Sequence, residues 1–408
     1  MRKFKIVHLG NPEIHKYTSK RPSFRDLRKL AKRSHIVKNT VYLSVEATKP
    51  SVGISTGLCF ETKVPFLYID SIPDCGCGFY VALIKNKTDL DWKLIVSDFI
   101  AKAGLYSPVR DSTAKSLCND LFMSDNFLSE FFNTNNNCDI IQFNNLLEII
   151  RAVYGLFVGH FLEIRRVDKV YNSISQTQNI SVGDYILILH AGAPMIHLFM
   201  QQLCGKILGW KEINRESELS QIEYNKRIKC CCFAENFARK SRYLAARLLF
   251  NVLIDKYKIP ANNIIPLSDI CHSSIQLKDE LLLHRRGIQD LTNKNNIFFN
   301  NFNFLLLAGT QVTSSYLVSP TGIYPNFSDR FLSHGTPENI KKKAIFPKLS
   351  NISSSLIYSD TKSKIINKNI YESITYKILT HYSETIRNIY PVARLIPIIN
   401  IKKGDIFY

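Results

Sequence analysis

Residues 71–80 read SIPDCGCGFY, setting the carboxylate of Asp74 three positions ahead of the thiol of Cys77 in a glycine-rich turn. Glycines let backbone fold tightly around an ion, and a carboxylate with a thiolate suits a borderline divalent cation better than calcium or magnesium. Taken alone the stretch reads as a zinc knuckle, half of a disulfide or one edge of a catalytic metal site. A structural zinc would call for a second Cys or His pair at short spacing, and none follows nearby. Four histidines share a further pattern: His160 in VGHFLEI, His190 in LILHAG, His272 in DICHSS and His334 in FLSHGT each begin or end a strand-like run beside a small residue. Imidazoles at strand ends can converge on one cleft as metal ligands or as a nucleophile. Any one of them alone reads more readily as a hydrogen-bonded, partly buried histidine, and it is the set that points to a site.

Strands and turns must carry these groups. Residues 40–80 alternate short apolar runs with Gly, Pro and Ser, the pattern of strands joined by tight turns, and from residue 158 onward short runs such as HFLEI and YILILH recur. Residues 95–157 read mainly as helix interrupted by the polar NTNNNCD, with further helices expected near 234–257 and 371–389. Residues 20–33, KRPSFRDLRKLAKR, place Phe24, Leu27, Leu30 and Ala31 at helical spacing with basic residues on the other face. Such a helix is either a solvated surface element or one that tracks phosphates. The Asn-rich stretches 133–138 and 292–304 read as loops. No internal repeat and no long linker divides the chain, so the expectation is one compact α+β domain over residues 1–408.

Composition narrows the partners. Apolar residues make up 45% and charged residues 21%, which excludes a chain disordered throughout. Lys and Arg outnumber Asp and Glu by 53 to 34, a formal charge of +19 that favours an anionic partner such as a nucleic acid. The ten cysteines lack the regular spacing of a secreted disulfide scaffold, which predicts a reducing, cytoplasmic setting. The start, MRKFKIVHLGNPEIHKY, has no sustained apolar run, and DYILILHAGAPMIHLFM is too short and carries two histidines, so neither a signal peptide nor a membrane span is expected.

Read in order, SIPDCGCG, GLFVGHFLEI, LILHAG, AENFARKSR, CHSS with LLHRRG, LLLAGTQVTSSYLV, LSHG and TYKI resemble the successive motifs of the RtcB-type RNA ligases, collinearly from about residue 50 to the C-terminus. The resemblance implies mixed β-sheets flanked by helices around a central metal cleft. It implies that Asp74, Cys77, His160, His190 and His272 hold two manganese ions, with the Cys77 thiolate between them. It makes His334 the nucleophile that takes guanylate from GTP and passes it to an RNA 3′-phosphate, or one derived from a 2′,3′-cyclic phosphate, for joining to a 5′-hydroxyl in RNA repair or tRNA splicing. The nucleotide-contacting positions it implies are Phe161, Glu163, Ser273, Gly309, Thr310, Gly335, Tyr376 and either Lys402 or Lys403. Glu163 would read the guanine edge; Tyr376 would stack beside the base or else simply pack as a helix residue. The implied partner is RNA, with neither DNA nor membrane.

The chain also departs from the family pattern. Where an acidic residue and a histidine belong near 42–45 it reads YLSV, and Gly159 stands in place of an asparagine. AGAPM follows His190 in place of a run containing arginine, a residue able to hold phosphate through paired hydrogen bonds. GTPEN follows His334, and its Pro337 removes a backbone donor while Glu338 adds negative charge. The alternatives are therefore a metal- and RNA-binding relative that no longer ligates, or a metal-dependent phosphoesterase using water as nucleophile.

Overall fold

The computed structural model describes residues 3–10, 14, 22–32, 36–48, 56–63, 75–85, 89–105, 161–171, 180–192, 221–278, 280–292, 304–310, 313–336, 356–359, 364–402 and 405–407. The strands are β1 (Lys5–Leu9), β2 (Thr40–Thr48), β3 (Thr56–Lys63), β4 (Gly78–Ile84), β5 (Phe161–Val170), β6 (Tyr185–Ala191), β7 (Ile264–Cys271), β8 (Ser274–Lys278) and β9 (Leu281–Arg286). They continue with β10 (Ile288–Asp290), β11 (Leu305–Leu307), β12 (Ser315–Pro320), β13 (Phe331–Ser333), β14 (Leu356–Ser359), β15 (Lys364–Asn367), β16 (Ile389–Lys402) and β17 (Asp405–Phe407). The α-helices are α1 (Phe24–Ala31), α2 (Trp92–Leu105), α3 (Gln221–Asp255) and α4 (Lys368–Thr380). The fold is mixed α+β and strand-rich, as the alternating patterns predict.

The largest sheet runs β11-β12-β16-β5-β6-β4-β7, with β17 paired to β16. Strands β4 and β6, GFYVALI and YILILHA, are buried at every position. Continuous apolar runs of this kind mark strands covered on both faces. Tyr80, Ala82 and Ile84 of β4 pack against Trp92, Ile95, Val96 and Phe99 of α2 and Ala245, Ala246, Leu249 and Leu253 of α3. The alternate residues Phe79, Val81 and Leu83 pack on Leu306, Leu317, Val392 and Leu395, from the other end of the same sheet. The sheet therefore curls until its first and last strands share a core, and becomes barrel-like. Its outer face at β11 and β12 is covered by Ile374, Ile378 and Leu379 of α4.

A second sheet, β1-β2-β3-β9-β8, pairs β1 parallel to β2 and the rest antiparallel. Helix α1 lies against it, capped by Ser23, whose hydroxyl accepts from the Asp26 N–H. Leu27, Leu30 and Ala31 are buried as the spacing predicts, but Phe24 is 63% exposed and lies off the inward face. Helix α3 begins at Gln221, earlier than the expected 234, and α4 ends in a π-helical turn, His381–Ile386. The segment 106–157, including the Asn-rich 133–138, and residues 293–303 lie outside the described residues. Among the described residues no helix is long and apolar enough to cross a membrane.

Candidate metal centre

Strand order explains how distant side chains meet. Strand β4 is antiparallel to both β6 and β7, so its start lies beside their ends: Gly78 is opposite Ala191 on one side and Cys271 on the other. Cys77 directly precedes β4, His190 is the penultimate residue of β6 and His272 directly follows β7. The backbone locks this arrangement, since the Cys77 carbonyl accepts from the His272 and Ser273 N–H groups, at 2.8 and 3.2 Å, and the Ser273 carbonyl accepts from the Gly76 N–H at 2.7 Å.

Gly78 is needed for the closeness. A Cβ there would lie 2.3 Å from the Ile270 carbonyl oxygen. Gly78→Ala should therefore push β4 off β7 and cost about 3 kcal/mol, read as a lower urea midpoint; an unchanged midpoint would contradict the close approach.

The three donors converge. Cys77 Sγ is 3.1 Å from His190 Nε2, which is 3.2 Å from His272 Nε2, and all three ligand atoms lie within 4.8 Å of one another. Ligand atoms on one tetrahedral ion stand about 3.3–3.6 Å apart, given metal bonds of about 2.0–2.3 Å, so the spacing needs only a small adjustment to admit a cation. All three residues are buried, and two imidazoles with a thiol are the donor set of a borderline or soft divalent metal. Cys77, His190 and His272 thus form a group that could hold a metal ion. Phe79 makes its apolar floor, with ring centroids 4.7 Å from His190 and 4.9 Å from His272.

Neighbouring Cys271 has a different role. Burial pushes its thiol up to about 12, so it remains protonated. It donates to the Gly76 carbonyl at 3.3 Å.

His334 follows β13 and reaches the same place: its ring centroid is 4.4 Å from that of His272 and 6.0 Å from that of His190. Glu46 of β2 grips it twice. One carboxylate oxygen accepts from the His334 backbone N–H at 2.9 Å, and the other lies 2.5 Å from Nδ1. A carboxylate at Nδ1 favours a proton on that nitrogen, and in the neutral ring such a proton leaves the lone pair on Nε2. Gly287, at φ +68°, sits beside this pair: a Cβ would lie 2.7 Å from the Thr56 methyl and 3.3 Å from His334 Nδ1.

Glu46 corrects the expectation that an acidic residue is missing here. It lies one position past the 42–45 window, in a strand whose pairing with β3 shifts register between Leu43 and Thr48. Counting along the sequence cannot anticipate such a bulge.

Arg242 closes the AENFARKSR motif, to which the sequence reading gave no role. Fully buried on α3, it donates to the Gly76 carbonyl at 2.7 Å, the Ala191 carbonyl at 2.6 Å and the Asp269 carboxylate at 2.8 Å. One guanidinium thus ties together the ends of the three strands that present Cys77, His190 and His272. Burial would lower its pKa and so would the Arg239 cation, but Asp269 and Cys271 raise it above the ordinary value, so it stays charged.

Four of the implied nucleotide contacts, Glu163, Gly309, Thr310 and Ser273, are hydrogen-bonded within the protein. Glu163 is buried, its carboxylate accepting from Arg165 Nε at 2.6 Å and from the Asn400 side-chain amide. The Gly309 N–H donates to Ser315 Oγ and the Thr310 N–H to Thr313 Oγ1, both at 2.8 Å. A Cβ on Gly309 would lie 2.1 Å from the Ser314 carbonyl oxygen, so the glycine already has a structural reason. Ser273 is buried, its hydroxyl accepting from the Gly287 N–H at 3.3 Å.

Phe161 flanks His190 at 4.8 Å between ring centroids, Gly335 bridges to Ala308, and Tyr376 is half exposed on α4. Lys402 ends β16. Asp74, His160 and Lys403 lie outside the described residues. No protein-family model matches the chain, and a search of curated proteins found no match.

Proposed function

We propose that the chain is a metal-dependent RNA ligase of the RtcB type, with His334 as its nucleophile. The observation that supports this most is the placement of a carboxylate-gripped imidazole directly beside a buried Cys77–His190–His272 donor set. A neutral imidazole with its lone pair on Nε2 is the form that attacks phosphorus. In the proposed reaction Nε2 forms a bond to the α-phosphorus of GTP as the bond to pyrophosphate breaks. The guanylate then passes to an RNA 3′-phosphate, and a 5′-hydroxyl displaces GMP to seal the strand. Manganese, two ions in the reading from the motifs, would offset the charge that gathers on the phosphates.

A second reading has its own observation. The Gly309 and Thr310 N–H groups and the Glu163 carboxylate already have partners within the protein, which suits a metal- and RNA-binding relative that does not ligate.

Incubation with labelled GTP and manganese decides between them. The ligase should form a labelled protein adduct that His334→Ala abolishes and Glu46→Gln slows by about 100-fold, the size expected for loss of an orienting base partner. No adduct with any divalent metal would favour the second reading, and RNA-end hydrolysis independent of GTP would assign the nucleophile to water.

A further inference from the structure

Helix α1 and its C-cap carry Arg25, Arg28, Lys29 and Lys32 at positions i, i+3, i+4 and i+7, all exposed, so they form one stripe about 10 Å long. Exposed Lys3 and Lys5 extend it from β1. None of these six cations is in an ion pair among the described residues, although the helix also carries Asp26, whose carboxylate accepts from the Ser23 hydroxyl. Like charges at such spacing repel one another, a cost that a bound polyanion would relieve. Two aromatic rings sit within the stripe. Phe4 lies under the Arg28 guanidinium and the Lys32 ammonium, at 5.2 and 5.7 Å, and makes an edge contact with Phe24 at 5.7 Å. Phe24 presents its ring to solvent.

We infer that this face is a binding platform for single-stranded RNA, with the cations following the phosphates and Phe24 stacking on a base. Cations interleaved with an exposed aromatic ring are the features that hold single strands without reading sequence. A membrane surface is the poorer fit, because the apolar side of α1, Leu27, Leu30 and Ala31, is already buried against the sheet and cannot enter lipid. The platform also has a geometric relation to the metal centre. Lys5 pairs with Thr40 at the start of β2, and Glu46 lies six residues further along, about 20 Å at strand rise. A strand with its end at His334 would need only a few nucleotides to reach Phe24. The choice of RNA as ligand rests on the function proposed above, whereas the platform itself needs no catalysis.

The test is made on full-length His334→Ala protein, so that guanylylation plays no part. A fluorescein-labelled 12-nucleotide RNA with a 3′-phosphate is titrated by anisotropy across a series of salt concentrations. Arg25→Gln/Arg28→Gln/Lys29→Gln/Lys32→Gln should weaken binding more than tenfold and reduce the salt slope by about 3, since each neutralised phosphate of a single strand contributes about 0.7. Phe24→Ala should weaken binding about tenfold with no change in slope. Affinity and slope unchanged by the fourfold variant, with its circular dichroism native, would overturn the proposal. So would binding to anionic phosphatidylserine vesicles in the absence of RNA binding. Loss of guanylylation in wild-type protein with RNA binding intact would count against the ligase and leave the platform standing.

Discussion

Replacing Arg242 by methionine is expected to lower the unfolding free energy by about 3–5 kcal/mol, the cost of stranding one member of a buried ion pair. Asp269 is 2% exposed and would lose the guanidinium that pairs with its carboxylate, while the carbonyls of Gly76 and Ala191 would each lose a donor. Urea denaturation of the metal-free protein measures the loss. Arg242→Met/Asp269→Asn should recover less than half of it, because neither carbonyl regains the guanidinium donor and Gly76 keeps only the weak Cys271 thiol. The same variant should bind metal about 10–100-fold more weakly, the usual effect of disturbing groups that orient ligands. A loss under about 1 kcal/mol, or full recovery in the double variant, would show that Arg242 is not what ties the strand ends together.

The second large effect is at the ligands themselves. Cys77→Ala is expected to reduce metal affinity by more than about 100-fold, beyond what loss of an outer group costs. Cobalt(II) is the informative probe. Wild-type protein should show the near-ultraviolet band of a thiolate bound to cobalt, and Cys77→Ala should lack it. Cys271→Ala should keep it, because the Cys271 thiol is held protonated by burial and is engaged with Gly76 and Arg242. His272→Ala should weaken binding as much as Cys77→Ala does, since its Nε2 is one of the three converging atoms. Affinity should also fall as pH drops, because binding needs a thiolate and neutral imidazoles. A cobalt band that survives Cys77→Ala but vanishes in Cys271→Ala would move the site to the other cysteine.

Much of the framework was legible in the order of residues. The apolar runs of β4 and β6 and the 3.6-residue spacing of Leu27, Leu30 and Ala31 are local signals, and each describes the element that formed. The small residues beside Cys77, His190 and His334 also carried meaning, because strand ends that approach closely leave no room for larger ones. Phe24 was misplaced because an eight-residue helix at the sheet margin buries a narrower stripe than its apolar residues suggest.

What residue order settled was which groups are present and which lie at strand ends: a thiol and three imidazoles of the right types, in an α+β chain with a large positive charge. Only folding in three dimensions decided that Cys77, His190 and His272 converge, since they come from three strands whose adjacency depends on sheet order. It also decided that Glu46 grips His334 across 288 residues and that Arg242 ties down Gly76 across 166. The reason is physical. Propensity and periodicity act over one or two turns of chain, whereas a buried charge finds its partner wherever packing leaves one within about 3 Å, and no local pattern encodes that distance.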